Sequence, residues 1–158
     1  MRTTAVRFSD PAATAAFLDG IIRPCLDLVP CTVILIGSPD GQPPCCAPND
    51  GGVLAIELVQ VDNPLFPDGG CDTDVDVEWL ISAYYCAPTV DANGGAPAAS
   101  LVKSNATARM LEGWRIMQRL MLVAEVSGVQ SLLKVSDPGR VGWSISLRTR
   151  MSVCRQGC

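Results

Sequence analysis

The side chains able to do chemistry here are sixteen carboxylates and eight cysteines, and their spacing decides what that chemistry could be. The densest acidic run, Asp72-x-Asp74-x-Asp76-x-Glu78, has the spacing that opens a calcium-binding loop. It departs where ligation needs it most: Val77 stands at the turn-glycine position and Ala83 at that of the bidentate glutamate. Alternation with Val75, Val77 and Trp79 makes these acids the outward face of a strand instead. The cysteines (25, 31, 45, 46, 71, 86, 154 and 158) include no CxxC, and their spacings match no zinc pattern. An even count permits a disulfide framework. Cys25 and Cys31 bracket an apolar stretch and Cys86 ends one, so these three read as small buried hydrophobes. Cys45-Cys46 and the tail pair Cys154/Cys158 read as exposed and oxidisable. Histidine is absent, which removes Ser-His-Asp and Cys-His catalysis, imidazole metal sites and a histidine pH switch. The only lysines, Lys103 and Lys134, sit in no phosphate-binding loop. The expectation is a non-enzyme with no catalytic residue, cofactor or metal.

Residues of this kind need elements to hold them, and 158 residues suit one domain, 1–158. At 48% hydrophobic and 18% charged residues, with mean hydropathy +0.27, the chain is too apolar for intrinsic disorder. Ser9-Asp10-Pro11 starts a helix, with Asp10 as N-cap and proline at the first helical position. Its stripe is Ala13, Phe17, Leu18, Ile21 and Ile22, with Thr14 at an exposed end, and Pro24 kinks or ends it. Strands are predicted at Thr32–Gly37, Val53–Val61, Asp74–Tyr85 and Gly142–Val153. Pro- and Gly-rich loops, 39–52 and 87–97, separate the first two and follow the third. A long helix begins between Ala98 and Ser104 and runs to about Val126. Met110, Trp114, Met117, Met121 and Ala124 repeat on it at the 4-3-4-3 spacing of a buried stripe. Leu132–Val135 reads as a short strand or turn. The predicted class is α+β: a single sheet of about four mainly antiparallel strands covered by two helices, in the order α-β-β-β-α-β.

Net charge is −4, which argues against general nucleic-acid binding. Residues 1–80 hold three basic groups and twelve acids, net −9; residues 81–158 hold nine and four, net +5. One reading has the halves interleave, with Asp74, Asp76 and Glu78 facing Arg148 and Arg150 across neighbouring strands. The other has opposite faces of successive subunits meet head to tail. On that reading Arg109, Arg115 and Arg119, placed opposite the Met/Trp stripe or on its flank, join Asp74, Asp76 and Glu78 as candidate subunit-interface residues. The N-terminus lacks the apolar stretch of a secretory signal and no apolar run spans a bilayer, so the expected product is soluble and made in a cytoplasm.

The helix-first order, the long loop inside the first hairpin and the Cys-x-Pro turn of Tyr85-Cys86-Ala87-Pro88 occur together. A Gly-Gly loop, a long amphipathic helix and the closing strand Val141-Gly142-Trp143-Ser144-Ile145-Ser146-Leu147 follow. In this combination the chain resembles the neck proteins of long-tailed bacteriophages, especially those infecting actinobacteria, and most of all a tail terminator. The resemblance implies a structural virion protein, made in the host cytoplasm, forming a six-membered ring that caps the tail tube and joins it to the head connector. Its implied partners are copies of itself, the tail tube protein and the connector or stopper. Genome DNA would pass through the lumen, with no membrane involved. The alternatives are another connector component, adaptor or stopper, or a small cysteine-containing ligand or redox module.

Overall fold

The computed structural model describes residues 10–39, 52–62, 73–87, 90–137 and 139–153. The first helix, α1 (Pro11–Ile22), starts where the cap chemistry places it: the Asp10 carboxylate accepts the Ala12 N–H at 2.8 Å, and Pro11 needs no partner. It tightens into a single 3-10 turn, Arg23–Cys25, which contains Pro24. Its buried side is Thr14, Ala15, Leu18 and Ile22. Thr14 is thus interior rather than exposed, its hydroxyl donating to the Asp10 carbonyl at 3.1 Å.

Among the described residues five strands follow in one sheet: β1 (Thr32–Leu35), β2 (Val53–Val61), β3 (Thr73–Cys86), β4 (Val126–Asp137) and β5 (Arg140–Val153). The second helix, α2 (Ala99–Met121), lies in the chain between β3 and β4. The spatial order is β1-β2-β3-β5-β4. The α+β class agrees with the sequence reading, and the details correct it twice. β4 is a full strand, so the order is α-β-β-β-α-β-β and α2 stops at Met121 rather than near Val126. β1 and β2 run parallel, so the connection between them is a crossover and not a hairpin loop. Of the predicted loops, 39–52 and 87–97, residues 40–51 and 88–89 lie outside the described residues. Asp91–Gly95 forms a tight turn in which the Asp91 carboxylate accepts from the Asn93 and Gly95 amides.

β3 and β5 pair along their whole lengths, with Trp79 opposite Leu147, Ile81 opposite Ile145 and Ala83 opposite Trp143. These residues, with Leu54 and Ile56 from β2, form the face on which both helices pack, and they bury with Leu18, Ile22, Ile116 and Leu120 in one core. On the other face Asp76 lies opposite Arg150 and Glu78 opposite Arg148, at 3.7 and 3.8 Å. The expected pairing of these two strands is therefore present. Each such pair is half open to solvent and contributes about 0.2–1 kcal/mol, enough to select register but not to hold the sheet.

The cysteines depart from expectation. Cys31 and Cys86 each take part in a disulfide, and Cys31 is exposed, so neither is merely a small buried hydrophobe. Cys25 is a free, half-buried thiol whose Sγ lies 3.5 Å from the Ile21 carbonyl.

Candidate functional site

The buried side of α2 is formed by Glu112, Gly113, Ile116 and Leu120. A carboxylate in a core must have its oxygens satisfied, and that of Glu112 does. Oε1 accepts from the Tyr85 hydroxyl at 2.6 Å and from the Trp143 indole N–H at 2.8 Å. Oε2 accepts from the Asp27 backbone N–H at 2.8 Å and from Arg109 at 3.0 Å. The Arg109 guanidinium stacks 4.4 Å over the Tyr85 ring and also reaches Asp27, which Arg115 holds from the solvent side. One side chain thereby ties α2 to β3, to β5 and to the segment after the 3-10 turn. With four donors around it, Glu112 has no free lone pair for proton abstraction and acts as an anchor.

Burial first, and then the adjacent Glu112, push the Tyr85 phenol far above its ordinary value of 10.0. The folded state holds this proton longer than the unfolded state, so its contribution is fully present below pH about 10 and declines as pH rises further. Urea midpoints measured from neutral to alkaline pH should fall above about pH 10, and Tyr85→Phe should flatten that fall. An unchanged slope in the variant would place the alkaline transition elsewhere.

Gly113 lets α2 approach the sheet. A Cβ there would sit 2.8 Å from Trp143 Cγ and 2.9 Å from Leu132 Cδ1. In an open helix Gly→Ala gains about 1 kcal/mol, whereas overpacking a core costs about 1–3 kcal/mol. Gly113→Ala should therefore be destabilising by about 1–2 kcal/mol in chemical denaturation; a gain would mean that the indole yields freely.

The six candidate interface residues divide. Arg109 is only 14% exposed and committed to Glu112 and Asp27, so it is an internal residue, contrary to the sequence reading. It sits one helical turn before Glu112, on the buried side of α2. Arg115 is exposed but pairs with Asp27 of its own chain. Arg119 is exposed and makes no ion pair among the described residues. Asp76 and Glu78 pair with Arg150 and Arg148. Asp74 lies opposite Ser152 in backbone register, its side chain outside the described residues.

The largest departure concerns the Met/Trp stripe. Trp114 is 49% and Met121 64% exposed, with Leu111 and Leu122 also open, so these two members of the stripe read as core face outward, whereas Met117 is half-buried against the core. Beside it, between α2 and β4, runs an apolar groove of about 740 Å³ lined by Ala99, Val102, Ala106, Met110 and the chain's two lysines, Lys103 and Lys134, among others. Among the described residues no three His, Cys, Asp or Glu side chains are grouped to hold a metal ion, and no helix is long and apolar enough to cross a membrane. Glu112 and the outward stripe escaped the sequence reading for one reason: a buried acid and a glycine occupy the inward positions, so hydropathy pointed to the wrong side of the helix. No model of a known protein family matches the chain, and no curated protein matches it.

Proposed function

We propose that this chain is a structural subunit of a phage head–tail junction, a tail terminator that assembles into a six-membered ring, caps the tail tube and joins it to the head connector. The observation that carries the reading is the outward apolar side of α2, where Leu111, Trp114, Met121 and Leu122 stand open to solvent. Contiguous exposed apolar side chains on a soluble domain mark a surface that another macromolecule covers. Glu112, the one carboxylate buried in the core among the described residues, is fully engaged as an acceptor, which favours a non-catalytic role. Disulfides at Cys31 and Cys86 suit a virion component, which meets an oxidising medium once released. An adaptor or stopper of the same junction would use the same surfaces and differ in its partners. The apolar groove would serve the alternative, a small-ligand module.

The test is size-exclusion chromatography with light scattering, followed by electron microscopy of the protein mixed with purified tail tubes lacking their cap. Closed rings, alone or seated on one end of the tubes, are expected. A compact monomer under both conditions would overturn the assignment and favour the ligand module.

A further inference from the structure

We infer that neighbouring copies join their sheets edge to edge, Glu57–Val61 of β2 in one copy lying along β4 of the next; this rests on the ring reading and names its interface. The sheet has two unlike free edges. β1 pairs with Val53–Ile56 only, so among the described residues the second half of β2, which carries a bulge between Leu58 and Gln60, has β3 on one side and no strand on the other. Burial changes there: Val53–Ile56 are buried, whereas Val59 and Val61 are half exposed. At the opposite edge β4 pairs, among the described residues, only with β5. Its first half carries two bulges, but from Ser131 to Asp137 the register is unbroken, a stretch long enough for the five residues of the other edge. Leu133, half exposed, lies within it. A long regular edge with unpaired amides and carbonyls is a template for another strand.

Two unlike edges make a front and a back, as a closed head-to-tail ring requires. Side-chain direction also agrees. Leu58 and Val61 lie opposite Trp79 and Val77, on the helix-covered face. A sheet continued across the interface points them toward the apolar groove between α2 and β4 of the next copy.

Two edge variants test this, both at exposed positions where the fold tolerates change: Val59→Lys with Val61→Lys on β2, and Leu133→Lys on β4. Circular dichroism and melting temperature first establish that each variant is folded. By light scattering, wild type should form rings, and each variant should associate at least about tenfold more weakly. Mixed together, the two variants retain one intact edge each, so they should form a one-to-one dimer and nothing larger. Amide hydrogen exchange should show β4 gaining protection when wild-type rings assemble. Rings that survive both substitutions would overturn this interface while leaving the ring reading intact. Either variant dimerising alone would overturn it in favour of a two-fold contact. A wild-type protein that remains monomeric, alone and on tail tubes, would overturn both. Protection of β4 only after adding a different protein would assign the edge to that partner instead and overturn the second copy.

Discussion

Glu112→Leu should lower the unfolding free energy by about 3–5 kcal/mol, the range for breaking a buried charge pair by removing one partner. At this chain length each kcal/mol moves the melting temperature by about 2–4 °C, so thermal denaturation will resolve the effect. The loss arises less from the missing attraction than from what remains. The Tyr85 hydroxyl, the Trp143 indole and the Asp27 amide lose their acceptor together in the buried interior, and Arg109 loses one of its two carboxylate partners. This account makes a second claim that separates it from a packing defect. In the wild type, Tyr85→Phe removes a hydrogen bond and should cost about 1 kcal/mol. In the Glu112→Leu background it removes an orphaned donor and should be neutral or stabilising. A double-mutant cycle with no coupling between the two positions would show that the carboxylate is not the hub.

Gly142→Ala should cost about 3 kcal/mol, at the upper end of overpacking effects. A Cβ at this position would lie 1.8 Å from the Ala83 carbonyl oxygen and 2.9 Å from its carbon, and both atoms are backbone. No rotamer change relieves such a contact. β5 must separate from β3 at that level and carry Trp143, the next residue, away from Glu112. The control is Gly128→Ala in β4, where nothing lies within 4 Å of the added methyl and the backbone φ is not positive. There the smaller entropy of the unfolded chain should leave stability unchanged or raise it by about 0.4–1 kcal/mol. Equal losses at both glycines, read from urea midpoints, would refute the close-approach argument.

Local signals made much of this fold legible. Asp10 and Pro11 start α1 as their chemistry requires, a mostly apolar run delimits β2 as Val53–Val61, and alternation delimits β3 and β5 to within about two residues. β4 escaped because its bulges break the period of two. The sequence reading ran α2 too far because Ala124 continues the 4-3-4-3 spacing of the stripe beyond Met121. The parallel pairing of β1 with β2 has no local signature, since alternation is silent about strand direction. The inward side of α2 was hidden for an energetic reason. Glu112 is tolerable in the core only because Tyr85, Trp143, Asp27 and Arg109 converge on it, and those donors lie from 3 to 85 residues away in the chain.

The burial of Glu112 also governs how two copies can meet. Because the helix's single acid lies inside, the outside of α2 carries cations only: Lys103, Arg115 and Arg119. An apolar ridge bearing Trp114 and Met121 invites the simplest symmetric error, two such ridges pressed together about a two-fold axis. That approach brings like charges toward one another as water is excluded between them, and the repulsion grows with each step of desolvation. A partner of the opposite sign meets no such barrier. Hiding one carboxylate thus leaves the ridge open to a partner of opposite sign and repellent toward its own mirror contact, so a closed two-fold pair through this ridge is disfavoured.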